Sequence, residues 1–176
     1  MRKSLLFLLI IILISYTVSA KSLQESMTEH GLAIPKKTTS SINFELENLN
    51  GLKEQLTDYR GKVVFLNFWA TWCGPCRIEM PSMERIYNEF QDDGMVILAV
   101  NLGESSAIAG EFMKSNNLSF PVLLDEDQTV AAIYGVRSIP TSYLIDRDGN
   151  ILGMAIGVRE WDSLSFRKLF REILNQ

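Results

Sequence analysis

Residues 69–81 read Trp69-Ala70-Thr71-Trp72-Cys73-Gly74-Pro75-Cys76-Arg77-Ile78-Glu79-Met80-Pro81, and they hold both cysteines of the 176-residue chain. The run before them, Val63 to Phe68, is nearly all apolar and reads as a strand buried on both faces. After them Met80, Met83, Ile86, Tyr87 and Phe90 recur at spacings of three and four, the mark of a helix. The Cys-Gly-Pro-Cys stretch therefore stands where a buried strand passes into a helix. Pro75 suits a first helical turn, where its missing N–H costs nothing.

That placement has chemical consequences. The first backbone N–H groups of a helix have no internal partner, and the dipole is positive there. A thiolate at Cys73 is favoured over a thiol: free cysteine titrates near about 8.5, and Cys-x-x-Cys pairs at helix starts at roughly 3.5–7.5. Cys76 lies one turn further in and is expected to be the more buried and less ionised. The first sulfur attacks and the second resolves.

Outward from this centre, residues 1–20 read as an export leader: Arg2 and Lys3, an unbroken apolar run from Leu5 to Ile14, then small residues at Val18-Ser19-Ala20. The apolar core is short for a membrane span, which takes about 20 residues. Cleavage after Ala20 is favoured over retention as an anchor, and no cysteine nearby could carry a lipid. Either way the domain is expected outside the cytoplasm. Without the leader's two basic residues the formal charge moves from −4 to −6. That balance argues against nucleic acid or an anionic membrane surface as partner.

Residues 21–40 are polar and mixed, and read as a linker or poorly ordered arm. They carry His30, the only histidine, expected to be solvated. Ile42, Phe44 and Leu46 alternate with polar residues as in a half-buried strand. Leu49-Asn50-Gly51 signals a turn, with Leu52 to Gln55 as the returning strand and Leu56 to Gly61 as a short helical turn. Met95 to Asn101 is a second buried strand, joined to the first by a crossover helix. Glu104 to Lys114 reads as a helix with Ile108, Phe112 and Met113 on its apolar side. Phe120 to Leu124 reads as a short strand and Asp127 to Tyr134 as a helix. Ile139 to Asp146 and Ile151 to Val158 are strands around an Asp148-Gly149 turn. A closing helix over Trp161 to Leu174 has Leu164, Phe166, Leu169, Phe170 and Ile173 apolar. Trp69, Met80 and Met83 are expected in the core, and Trp72 as a shield beside the nucleophile.

Trp72-Cys73-Gly74-Pro75-Cys76 resembles the active-site pentapeptide of thioredoxin. The wider run from Asn67 to Pro81, and the chain from about Ser41 to the end, is similar to the exported or membrane-associated TlpA/ResA type. The resemblance implies an α/β thioredoxin fold over residues 41–176. A mixed central sheet is flanked by helices, with an N-terminal β-hairpin extension (residues 42–61) and a central insertion built from the later helix and short strand. It also implies a cis proline at Pro140, within Ile139-Pro140-Thr141, facing the cysteine pair. A substrate would then meet Trp72, Gly74, Pro75, Ile139, Pro140 and Thr141, its extended segment adding to the backbone there.

The family places a glutamate near the cysteines at the position of Glu79, whereas thioredoxin usually has an aspartate at the position of Asn67. A partly buried carboxyl has a raised pKa, and Glu79 is expected to take the Cys76 proton and return it. Pro81 is expected to kink the helix and tilt Glu79 inward.

The function implied is a thiol–disulfide oxidoreductase, acting as a monomer. It would reduce particular exported proteins through a Cys73/Cys76 cycle and be recharged by a membrane thiol reductant. Apocytochrome c is a client the resemblance suggests, although Gly74-Pro75 replaces the Glu-Pro common in the ResA type. Alternatives are an oxidant or isomerase with a higher potential, a peroxidase, and a binding module with a structural disulfide or a metal. Peroxidases need a Thr-x-x-Cys setting, and Ala70 stands three before Cys73. A zinc site needs about four ligands, and only two cysteines exist. The sequence points to no organic cofactor and no metal.

Overall fold

The computed structural model describes residues 22–176, so the leader reading for residues 1–20 lies outside the described residues. The order of elements is α1 (Leu23–Glu29), β1 (Glu45–Asn48), β2 (Lys53–Gln55), β3 (Val63–Trp69), α2 (Gly74–Phe90), β4 (Met95–Leu102), α3 (Ser106–Ser115), β5 (Val122–Asp125), α4 (Thr129–Ile133), β6 (Thr141–Ile145), β7 (Ile151–Ile156) and α5 (Leu164–Leu174). The strands form one mixed seven-stranded sheet in the order β2-β1-β5-β4-β3-β6-β7. β3 pairs in parallel with β4, and β4 with β5; the remaining pairings are antiparallel. The fold is the expected α/β thioredoxin type.

Every residue of β3 and of β4 is buried, which is why both read as continuous apolar runs rather than as alternating strands. Their side chains alternate between two cores. Phe65 and Trp69 of β3 join Met80, Met83, Ile86 and Phe90 of α2 and Phe170 of α5 on one face. Val64, Leu66 and Phe68 join Val130, Ala131, Tyr134 and Tyr143 on the other. With a side-chain period of two, Asn67 falls on the α2 face, between Phe65 and Trp69, in a position an apolar residue would otherwise fill.

The first hairpin extends the sheet: β1 takes β2 on one side and β5 on the other. The expected strand begins later than its apolar alternation suggested, since Ile42 is half exposed while Phe44 is buried. α3 buries Ala109 and Met113, and Ile108 points outward. Leu164, expected on the apolar side of α5, is 88% exposed at the first position of that helix. Pro81 lies inside α2, which runs without interruption from Gly74 to Phe90.

The segment expected as a linker or poorly ordered arm is packed from Ser22 onward. Ser22 and Glu25 form a reciprocal capping box that starts α1, an arrangement that satisfies two orphan donors at once. Met27 and Leu32 enter the core. Ala33 then exchanges both backbone hydrogen bonds with Met154 of β7, at 2.8 and 2.9 Å, and Ser40 bridges Asn150. Gly153 makes this possible: a Cβ there would lie 2.8 Å from the Met27 methyl carbon and 3.4 Å from the Leu32 Cβ. His30 is half-buried rather than solvated. Its ring centroid lies 4.8 Å from that of Phe166, and its Nδ1 is 2.6 Å from the Ser26 carbonyl oxygen.

Candidate active site

β3 ends at Trp69, and the chain turns through Ala70 to Trp72 before α2 begins at Gly74. Cys73 is the N-cap of α2: its Sγ accepts the Cys76 N–H at 3.2 Å. This is one of the donors a helix start leaves unpaired, so the geometry that ends the strand also places a positive dipole on the sulfur. Cys73 and Cys76 are joined as a disulfide with Cα atoms 5.3 Å apart. Both are buried, Cys76 completely and Cys73 with 4% of its surface exposed. Trp72 beside them is 70% exposed, a flat apolar surface next to the sulfur that has access to solvent.

The Ile139–Pro140 bond is cis. The Ile139 carbonyl oxygen lies 3.7 Å from Cys73 Sγ, which brings the loop before β6 directly against the disulfide. Pro140 is fixed from the far side, its carbonyl accepting the Gly157 N–H at 2.8 Å. Thr141 is buried, and its hydroxyl donates to the Ser138 carbonyl at 2.7 Å. Trp72 and Ile139 also line a cleft of about 610 Å³ with Leu102, Ala131, Ala132, Val136 and their neighbours. The residues expected to meet a substrate thus converge on one end of the molecule, at the C-terminal end of β3.

Glu79 lies one helical turn after Cys76, on the same face of α2, and is 1% exposed. Its Oε1 accepts from Asn67 Nδ2 at 3.0 Å. Its Oε2 accepts from Trp161 Nε1 at 3.1 Å and from the Arg159 backbone N–H at 3.2 Å. Burial penalises the charged form and pushes the carboxyl up to about 7; the three donors and the Arg159 charge pull the other way without overcoming it. A buried acid poised near neutrality can both accept and return a proton. The inward placement needs no visible break at Pro81, because residue 79 already faces the core.

One contributor escaped sequence reading. Glu104, just after β4, is nearly buried and accepts from the Thr71 backbone N–H at 2.8 Å, from the Thr71 hydroxyl and from Asn101 Nδ2 at 2.7 Å. It fastens the turn that carries Trp72 and Cys73 to the end of β4. Its partner Thr71 is 33 residues away in the chain, so an acidic residue just ahead of α3 read only as a helix start. Among the described residues no cluster of three or more His, Cys, Asp or Glu could hold a metal.

A disulfide whose first sulfur caps a helix, a cis Ile139–Pro140 bond whose Ile139 carbonyl meets that sulfur, and a buried carboxyl on the same helix define a thioredoxin-fold thiol–disulfide oxidoreductase. Residues 38–154 match the family model described as AhpC/TSA. A thiol-disulfide oxidoreductase named ResA from Geobacillus thermodenitrificans is 39% identical over 155 residues, covering 88% of this chain and 86% of that one. ResA of Bacillus subtilis is 46% identical over 115 residues, 65% of this chain and 64% of that one. A Chlorobium tepidum chain described as a thiol:disulfide interchange protein DsbE superposes with a TM-score of 0.72 at 34% identity, covering 79% of this chain and 98% of that one. The chain belongs to the AhpC/TSA family and, within it, to the ResA-like thiol–disulfide oxidoreductases.

Proposed function

We propose that the protein reduces disulfides in particular proteins outside the cytoplasm, as a monomer, with apocytochrome c as a client class. In the reduced enzyme the Cys73 thiolate attacks one sulfur of a substrate disulfide, forming a mixed disulfide and releasing the other substrate sulfur as a thiolate. Cys76 passes its thiol proton to Glu79 and attacks Cys73 Sγ. The second substrate sulfur leaves, and the enzyme is left with the Cys73–Cys76 disulfide; two electrons have moved from enzyme to substrate. Glu79 can then return its proton to the leaving thiolate. A thiol reductant in the membrane must restore the dithiol. The leader at residues 1–20 supports the location.

The observation that carries this reading is the buried Glu79 carboxyl, held near neutrality on the helix of the cysteine pair. The exposed Trp72 and the cis Pro140 loop supply the surface on which an extended client segment would pair. Thr141, Gly74 and Pro75 shape that surface.

The direction of electron flow is tested by the equilibrium reduction potential of the Cys73–Cys76 pair in the purified protein. A value at or below about −230 mV, the range of glutaredoxins and thioredoxin, is expected of a reductant. A value between about −120 and −180 mV belongs to oxidants and isomerases and would overturn the reductant reading.

A further inference from the structure

Glu79 has three hydrogen-bond partners, and all three donate. That set suits a carboxylate. A protonated carboxyl carries an O–H of its own and needs an acceptor. Two of the three donors cannot provide one. The Arg159 group is a backbone N–H, and an indole nitrogen is a donor only. Trp161 is moreover immobilised: its backbone N–H donates to Ser82 Oγ at 3.1 Å, and its ring packs on Phe65 with centroids 4.6 Å apart.

The third partner is a side-chain amide, whose two ends have opposite hydrogen-bonding character. Asn67 is completely buried. Its Nδ2 donates to both Glu79 Oε1 at 3.0 Å and Ser142 Oγ at 2.9 Å. Its Oδ1, equally buried, has no partner among the described residues. Ser142 stands directly opposite Asn67 in the β3–β6 register, so the two side chains share a face. A hydroxyl can accept or donate by rotating.

We propose that Asn67 is a positioning residue that inverts its amide each time Glu79 changes protonation state, with the Ser142 hydroxyl turning in step. With Glu79 ionised, Nδ2 donates to Oε1 and to Ser142. With Glu79 protonated, Oδ1 takes that place and accepts from both the Glu79 O–H and the Ser142 O–H. Inversion sacrifices no bond at the far end, because Oδ1 holds none there. It does leave the two N–H groups where Oδ1 now sits, a cost that biases the amide toward the carboxylate state. An aspartate at this position would present acceptors only, and would repel a second carboxylate. Asparagine serves both forms, so the acid remains able to cycle. The proposal rests on the reading of Glu79 as proton acceptor. The groups that meet that carboxyl are Asn67 from β3 and Trp161 and Arg159 from the segment before α5; Cys76 stands one helical turn before it on the same helix. Among the described residues Arg159 is the charged side chain that acts on it.

The test is NMR of the full-length protein in the disulfide form, where neither cysteine titrates. The Glu79 carboxyl carbon and the Asn67 side-chain amide are followed from pH 5 to 9. Above the Glu79 midpoint, contacts between the Asn67 amide protons and the Ser142 β-protons are expected to be strong. Below it they are lost, and the Glu79→Gln variant shows no pH dependence of these contacts. Asn67→Asp is expected to raise the Glu79 midpoint by at least one pH unit, a tenfold change in proton affinity. If that variant does not fold, the contacts in the unmodified protein decide alone. Amide contacts that persist unchanged through a Glu79 midpoint near 7 would overturn the inversion and leave the proton-acceptor reading standing. A Glu79 carboxyl that titrates in the ordinary glutamate range would overturn both.

Discussion

At the scale of single residues, the charge on Glu79 is a cost to the fold and, in the proposed cycle, the acceptor of the Cys76 proton. The carboxyl is pushed from its ordinary 4.5 up to about 7 by burial. Between those values the folded chain holds a proton that the unfolded chain has lost, so stability falls as pH rises through that window and is level above it. At about 1.36 kcal/mol per pH unit, ionised Glu79 costs the fold roughly 3 kcal/mol above pH 7. Urea denaturation of the disulfide form at pH 5 and pH 8 is expected to show about 2–3 kcal/mol of that loss, since pH 5 already lies above the ordinary glutamate value, and Glu79→Gln to remove most of it. The same substitution should slow catalysis. General acid–base groups contribute roughly 10²–10⁴-fold, so Glu79→Gln is expected to reduce the rate of the resolving step by at least tenfold near neutral pH and to make the mixed disulfide accumulate in quenched-flow samples. Cys76→Ser removes the resolving sulfur altogether and is expected to trap substrate on Cys73 in a complex that dithiothreitol releases. A protein that traps nothing would argue that Cys73 is not the attacking sulfur.

At the scale of elements, the active site is a junction: the end of β3, the start of α2, the cis Pro140 loop before β6 and the end of β4. Glu104 ties the last to the first. Its carboxylate receives three hydrogen bonds, two of them from the Thr71 that precedes Trp72. Glu104→Ala orphans the buried Asn101 amide and two part-buried Thr71 donors, with about 1–3 kcal/mol at stake for a buried one, and is expected to lower unfolding stability by about 2–4 kcal/mol in urea. It should also slow attack by Cys73, because the turn that carries the sulfur is no longer held. The parts of this junction that a sequence reveals are those written locally. β3 and β4 show as apolar runs because both their faces are buried. The cysteine pair, Pro75 and Glu79 lie within one helix and its cap. Pro140 was legible only through resemblance, since nothing in a single proline announces a cis bond. Glu104 with Thr71, and Asn67 with Ser142, were not legible as pairs, because each depends on which strands lie side by side. The same limit explains the helix faces: Leu164 and Ile108 are apolar by type, yet α5 and α3 turn them to solvent.

At the scale of the whole molecule, the two ends of the sheet have different work. The C-terminal end of β3 carries the disulfide, while the segment from Ser22 to Ser40 closes the other side of the fold along β7 and α5. Its polar composition suggested a tether, since only two apolar residues in it, Met27 and Leu32, are fully committed to the core. Those two suffice because Gly153 opens a recess for them in β7, and because the Ala33–Met154 bridge satisfies the backbone on both sides. A tether and a packed arm predict different consequences for one substitution. Truncating a buried methionine to alanine costs about 2–5 kcal/mol, whereas a side chain on a solvated linker costs nothing. Met27→Ala is therefore expected to lower the urea midpoint by an amount equivalent to at least about 2 kcal/mol, with the denaturant slope unchanged. The reduction potential of the Cys73–Cys76 pair is expected to stay where it was, since the backbone bridges of the arm run to Met154 and Asn150 of β7 and the turn before it, away from the disulfide. A midpoint equal to that of the unmodified protein would mean that the arm contributes nothing to folding. A lowered midpoint accompanied by a shifted potential would mean instead that the packing of α1 on β7 and α5 reaches the active site through the shared core.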